Sequence, residues 1–244
     1  MPVFFITADQ IRNGTVTITG PLLDHLRASL RMAAGERLQV GDEHRRRYDI
    51  DVTTLDRRAL RGRIVGQLDG PAPRSPRLLL GQAILKGERM DWAIQKATEL
   101  GVHVIAPLIS DQTIVRPRPG RTAAQQDRWQ RIALEAAQQS ERWDVPTVNP
   151  PASIETFVST EATLKVILVE RSTGPTLNTV VLPSLPEHTI AVMIGPEGGW
   201  RQEEVLEAER KGFVPVSLGA RILRAETATL TTLSVLQTRL GELG

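Results

Sequence analysis

TIAVMIGPEGGWRQEEVLEAERKGFVPVSLGARILRAETATL, residues 189–230, is the stretch that decides the fold. An apolar run ends at Gly195 and Pro196, and Glu197, Gly198 and Gly199 lead into the helical pattern RQEEVLEAERKG. The spacing predicts a strand, a tight turn and a helix start. The plan then repeats: Val214–Leu218 reads as a strand, Gly219 breaks it, and Glu226–Leu240 reads as a helix with Leu230, Leu233 and Leu236 on one face. Each turn alone has a structural explanation, since Gly at a strand end supplies φ > 0 and Glu near a helix N-terminus complements its dipole. The pair says more. Three glycines in five residues let a ligand approach backbone donors, the second turn adds Arg221, Arg224, Glu226 and Thr227, and ligands of open α/β sheets bind at the carboxyl ends of strands.

Upstream, LLLGQAIL, VHVIAPLI and LKVILVE are further apolar runs of strand length with helical segments between most of them, which predicts an α/β domain with a largely parallel sheet. The helix Asp91–Leu100 carries Ile94, Ala97 and Leu100 toward the core, with Trp92 off that stripe. The helix Thr122–Arg142 is polar with small Ala steps, a surface expected to pack against a partner subunit. The first seventy residues hold the short strands FFITA, TVTITG, RLQVGD, RRYDIDVTTL and LRGRIVGQL, for which a small β-barrel is the economical packing. GPAPRSP, residues 70–76, reads as the linker between the two. Residues 1–72 and 73–244 are the expected domains. Chain-crossing rules on their own predict an ordinary open sheet without a knot.

At 244 residues and 41% apolar composition the chain can bury a real core. It has no Cys, which excludes disulfides, Fe–S clusters and thiol chemistry. His25, His44, His103 and His188 are scattered, so no metal site is expected. Neither a dinucleotide fingerprint, nor a P-loop, nor a nucleophile elbow occurs. No run approaches a membrane span or a signal peptide, and a cytoplasmic protein is expected. Residues 1–75 carry 12 Arg against 9 acids, a net +3, and no Lys. Planar Arg heads suit phosphate. Candidate RNA contacts are His25, Arg27 and Arg31, the two arginines sharing a side if the segment is helical, then Arg116, Arg118 and Arg121 in the Pro-stiffened IVRPRPGR, and Arg142. Arg45, Arg46 and Arg47 form a run that is either a solvated hairpin or a weaker phosphate contact.

The strings GPEGG and LGARILRAETA resemble the C-terminal signature of the RsmE-type 16S ribosomal RNA uridine N3 methyltransferases, members of the SPOUT class. HLRASLRMAAGERLQVGD (25–42), KGERMDWAIQKATELGVHVIAPLIS (86–110) and WQRIALEAAQQSERWDVPTV (129–148) resemble further elements of that family, in order. Trp200 and Arg201 stand where the family more often has Phe and a small polar residue, and DEHRRR replaces a Gly-containing hairpin. The resemblance implies an α/β SPOUT domain with a C-terminal trefoil knot behind a PUA-like RNA-binding β-barrel. It implies S-adenosylmethionine as cofactor, 16S ribosomal RNA within the 30S subunit as substrate, and a homodimer.

Carried over position by position, the resemblance assigns Gly195, Pro196, Glu197, Gly198, Leu218, Gly219, Ile222, Leu223 and Thr227 to the cofactor, and Arg221 and Arg224 to catalysis. Uridine N3 must lose a proton before it attacks, and a cation stabilises the imide anion. The general base stays open between Glu197, Glu226 and water. Without Cys, methylation of a pyrimidine carbon by a thiol nucleophile is excluded. Two alternatives remain: ribose 2′-O-methylation, which nucleoside mass spectrometry separates, and a non-catalytic RNA-binding factor, which cofactor calorimetry separates.

Overall fold

The computed structural model describes residues 3–117, 120–170 and 174–244. Two compact units divide them: Met1–Ala72 with Ala137–Val145, and Pro73–Ala136 with Pro146–Gly244. The first unit contains β1 (Val3–Phe5), β2 (Ile11–Arg12), β3 (Thr15–Ile18), α1 (Gly20–Asp24), β4 (Arg37–Gly41), β5 (Arg46–Leu55) and β6 (Leu60–Asp69). Its sheet runs β1-β4-β5-β6-β3-β2, antiparallel except for β1 beside β4. All five expected strands form; β3, β4 and the first half of β5 alternate an inward apolar residue with an outward polar one, and Val16, Ile18, Leu38, Val40, Ile50, Val52 and Leu60 meet in one buried cluster.

The DEHRRR hairpin does without glycine. Arg45 takes φ 59° itself, and buried Asp42 accepts the backbone N–H groups of His44 and Arg46 and the Tyr48 hydroxyl. Burial, then the hydrogen bond to Asp42, raises the Tyr48 hydroxyl above its ordinary range.

The second unit follows the expected alternation: β7 (Arg77–Ala83), α2 (Glu88–Glu99), β8 (Val104–Ile109), α3 (Thr122–Gln139), β9 (Thr147–Val148), β10 (Ala152–Ser153), α4 (Ile154–Val158), β11 (Leu164–Leu168), β12 (Thr189–Ile194), α5 (Gln202–Arg210), β13 (Val214–Val216) and α6 (Ala225–Arg239). The strand order is β10-β8-β7-β12-β11-β13 with β9 on β8, and every pairing is parallel. Leu78, Leu80, Ile190, Val192 and Val166 face one core with Ile94 and Ala97 of α2 and Leu233 and Leu236 of α6. Trp92 stays outside it.

Two expectations about helices change. Trp129 and Ala133 of α3 are buried in this same core, while Ala123 and Ala124 at its start are exposed. The helix also stops at Gln139, because the Arg142 N–H turns back to the Ala137 carbonyl and Glu141 takes φ 53°, a left-handed cap. In α6 the buried stripe runs Ala225, Thr229, Thr232, Leu233, Leu236, Gln237, leaving Leu230 only half-buried. The Thr229 hydroxyl reaches buried Gln82 at 2.5 Å and the Ala225 carbonyl at 2.9 Å.

Candidate functional site

Parallel pairing brings the carboxyl ends of β11, β12 and β13 side by side. The first turn, Gly195–Gly199, leaves β12 and is closed by the Gly199 N–H on the Pro196 carbonyl at 3.0 Å. Its four fastenings are all long-range. The Glu197 carboxylate accepts the Lys86 N–H at 3.0 Å and faces Arg89 Nη1 at 3.4 Å. Trp200 donates its indole N–H to the Leu168 carbonyl at 3.0 Å, and the indole lies where a Cβ on Gly195 would come within 3.2 Å. Gly198 sits against Gln112, 3.2 Å from its Cβ by the same measure.

The second turn leaves β13 at Ser217, whose carbonyl accepts the Leu177 N–H at 2.9 Å. Gly219 takes φ 110°, and no atom lies within 4 Å of where its Cβ would stand. Arg224 is the extended residue before α6, and its carbonyl accepts the Ala228 N–H. Gly195, by contrast, has no positive φ; among the first turn's glycines only Gly199 does, so the expected left-handed role belongs to Gly199 and Gly219.

Both turns line one cavity of about 800 Å³. Gly195, Pro196, Glu197, Gly198, Leu218, Gly219, Ile222 and Leu223 all border it, as do Arg221 and Arg224. Thr227 does not; it points outward from the first turn of α6. Leu168, Ile194 and Ala228 add apolar wall, and Arg89 from the start of α2 adds a third cation that sequence reasoning missed. Its only sequence signal was its place in KGERMDW, where nothing marks its partners. Glu197 and Glu226 both face Arg89, at 3.4 and 3.8 Å, and among the described residues Arg221 and Arg224 have no ion-pair partner.

The RNA-contact candidates separate. His25 and Arg27 are exposed on a single π-helical turn, His25–Ser29, with His25 stacked near Phe4. Arg31 lies past the end of that turn at φ 53°, so it does not share a helix side with Arg27. Arg116 is exposed in the loop after β8, and Arg118 lies outside the described residues. Arg142 has 10% of its side chain exposed and pairs with Asp144 at 2.8 Å, a helix-end tie and not an open phosphate contact. Arg45 also reaches Asp144, while Arg47 donates to the Glu141 carbonyl and stacks 3.9 Å over Trp143, so this part of the run is internal structure.

Strand register assembles a row that no sequence run displays: Arg12 pairs Thr15, Thr15 pairs Arg63, Arg63 pairs Asp51 and Asp51 pairs Arg37, all on the outer sheet face. At about 4.8 Å per strand, successive arginines of the row stand about 10 Å apart, and Asp51 between two of them pairs with Arg37 at 3.1 Å and Arg63 at 3.9 Å, leaving both heads largely exposed. Among the described residues no group of acidic and His side chains is placed to hold a metal ion, and no helix is long and apolar enough to cross a membrane.

A parallel sheet whose two Gly-marked turns line one cavity is a ligand site of the open α/β kind, and the family model described as an RNA methyltransferase domain matches residues 73–237. The ribosomal RNA small subunit methyltransferase E of Synechocystis is 35% identical over 94% of this chain and 75% of its own length. Among solved structures, that of the same-named enzyme from Neisseria gonorrhoeae, bound to S-adenosyl methionine, superposes with a TM-score of 0.87 at 32% identity over 98% of each chain. A methyltransferase from Legionella pneumophila, in complex with the cofactor SAM, gives 0.88 at 30% identity over 97% of each. The chain belongs to the ribosomal RNA small subunit methyltransferase E family, the RsmE type of the SPOUT class.

Proposed function

We propose that this chain methylates N3 of one uridine in the 16S ribosomal RNA of the small ribosomal subunit, with S-adenosylmethionine as methyl donor. The observation that carries the reading is the pair of guanidinium groups, Arg221 and Arg224, without an ion-pair partner among the described residues, on the wall of a cavity built from two Gly turns. The residues fit the cofactor: about 800 Å³ lies within the range of ligand sites, and apolar walls beside open backbone suit adenosine and a methionine tail. When bound, the cofactor supplies an electrophilic methyl group on a sulfonium sulfur.

The chain's own work is alignment and charge. Gly195, Pro196, Glu197 and Gly198 of the first turn and Leu218, Gly219, Ile222 and Leu223 of the second hold the donor in place and keep water out. Uridine N3 carries a proton at neutral pH, and its loss spreads negative charge onto the flanking carbonyl oxygens. Arg224, with Arg221 beside it, stabilises that charge as it forms. Neither head is tied to Glu197 or Glu226, which face Arg89 instead.

Residues 1–72 act as the PUA-like RNA-binding domain and 73–244 as the catalytic SPOUT domain. The Arg12–Arg63–Arg37 row, with His25 and Arg27, supports phosphate contact by the first. The active form is a cytoplasmic homodimer. The direct test is incubation with S-adenosylmethionine and small subunits from a strain lacking the modification, followed by nucleoside mass spectrometry. N3-methyluridine is expected; a ribose-methylated product or no product would reject the reading. Arg63→Ala should weaken RNA binding modestly and lower the salt slope by about one.

A further inference from the structure

We propose that Arg89 is a positioning residue for the transfer, an electrostatic clamp that holds the two cavity turns together through Glu197 and Glu226; this rests on the cofactor reading above. Glu197 belongs to the first turn and Glu226 to the first turn of α6, directly after the second. Arg89 Nη1 stands 3.4 Å from Glu197 Oε1, and Arg89 Nε stands 3.8 Å from Glu226 Oε1. One cation therefore serves two carboxylates, one from the first turn and one from the start of α6.

The carboxylates are poorly placed to do without it. Their side chains are 19% and 17% exposed. The second oxygen of each, Glu197 Oε2 and Glu226 Oε2, is buried with no hydrogen-bond partner. Two such groups with the cation removed are like charges with little water to screen them, and they push the turns apart. Arg rather than Lys fits the task, because a planar fork presents Nε and Nη1 to two acceptors at once, whereas an ammonium is a point charge. The Lys86 N–H on Glu197 anchors the same carboxylate to the start of α2, so the clamp acts from a rigid base.

The signature is a change of sign in a double-variant cycle, read by calorimetry of S-adenosylmethionine binding and by thermal melting without ligand. Arg89→Met should weaken cofactor binding about tenfold, a figure held down by the 43% exposure of the Arg89 side chain. It should raise KM for the cofactor and leave kcat at saturation nearly unchanged. Glu226→Gln should weaken binding less than about threefold in the parent chain, yet strengthen it in the Arg89→Met background, because it removes the repulsion the clamp had balanced. A merely structural Arg89 gives no such reversal. If Arg89→Met does not fold, Arg89→Lys, which keeps the charge, should bind about threefold more weakly and recover with Glu226→Gln; parent-like affinity there overturns the clamp. Parent binding with unchanged affinity in Arg89→Met, or a double variant no tighter than the single, overturns it too. No binding by the parent chain rejects the cofactor reading and this role together.

Discussion

The turn after β12 and the turn after β13 border the same cavity and carry glycines at comparable places, yet they are held in opposite ways. Groups from elsewhere fasten the first along its length: the Lys86 N–H on Glu197, the Leu168 carbonyl on Trp200, and the Gln112 side chain against Gly198. The second is fastened at its ends, by the Ser217 carbonyl and by the start of α6, with Gly219 in open space and Ile222 53% exposed between them. Shape lies with the first turn and charge with the second. A cation that forms no ion pair among the described residues stays available to a reacting anion, whereas a carboxylate held by a backbone N–H and an Arg is committed to architecture.

The contrast breaks most directly at Arg224. Arg224→Ala should lower turnover by about a hundredfold or more, the scale for losing one charge-stabilising donor, with cofactor affinity nearly unchanged. Single-turnover assays beside calorimetry separate the two. Arg224→Lys should recover only part, and alkaline solution should raise the Ala variant's rate by deprotonating uracil without help. Lost cofactor binding with no alkaline rescue would move Arg224 into the architectural class and leave the anion to Arg221.

At the two glycines the expected penalties differ in origin. Gly195→Val drives its side chain into the Trp200 indole from a backbone that any residue can adopt, an overpacking cost of about 1–3 kcal/mol, and cofactor affinity should fall tenfold or more. Gly219→Ala meets no atom and pays only for φ 110°, about 1–2 kcal/mol. Removing the indole with Trp200→Ala should therefore relieve Gly195→Val, while no neighbour's deletion can relieve Gly219→Ala. Cofactor calorimetry on the pair of double variants checks this.

Much of the contrast could not be read in the chain. Apolar runs of strand length mark β7, β8, β11, β12 and β13 because a strand covered on both faces favours apolar side chains, and parallel pairing at the carboxyl ends then places both turns. Partners at long separation leave no such mark. Arg89 meets Glu197 across 108 positions, and Arg47 meets the Glu141 carbonyl across 94. The same holds for Arg12, Arg63 and Arg37, which become a row only through strand register. The Ala steps of α3 were legible as a packing face, but composition cannot say whether a face packs inside the chain or outside it. The knot is an implication of family likeness alone, since chain-crossing rules argue against one in any generic α/β sheet.

Trp200→Phe probes the fastened turn more gently. Phenylalanine keeps the ring against Gly195 but removes the indole N–H, leaving the Leu168 carbonyl without that donor. A loss of about 1 kcal/mol is expected, close to fivefold in cofactor affinity if the first turn sets binding. Turnover at saturation should barely change. An equal fall in kcat would mean that the first turn also bears on the reacting atoms and would erode the division between shape and charge.

The smallest effect is expected at Gly198, and it tests whether fastening is rigid throughout the first turn. Its backbone needs no positive φ, so an added methyl group meets only Gln112, 3.2 Å from that residue's Cβ and 3.4 Å from its Oε1. Gln112 is exposed in the loop after β8, and because the nearest atom is its Cβ, relief needs a shift of that exposed loop by a few tenths of an ångström. Gly198→Ala should thus lower stability by about 0.5 kcal/mol, a shift of about 1–2 °C in the melting midpoint of a chain this size. Cofactor affinity is the sharper readout, because the proposed role of Gly198 is to let a ligand come close to backbone. An unchanged melting midpoint with affinity lowered tenfold would show that the ligand, and not Gln112, occupies the space beside the Cα. If both stay unchanged, close approach belongs to Gly195 and Gly199 alone. A large fall in the midpoint would mean that Gln112 cannot yield, so that the loop after β8 is as firmly tied to the first turn as Trp200 is.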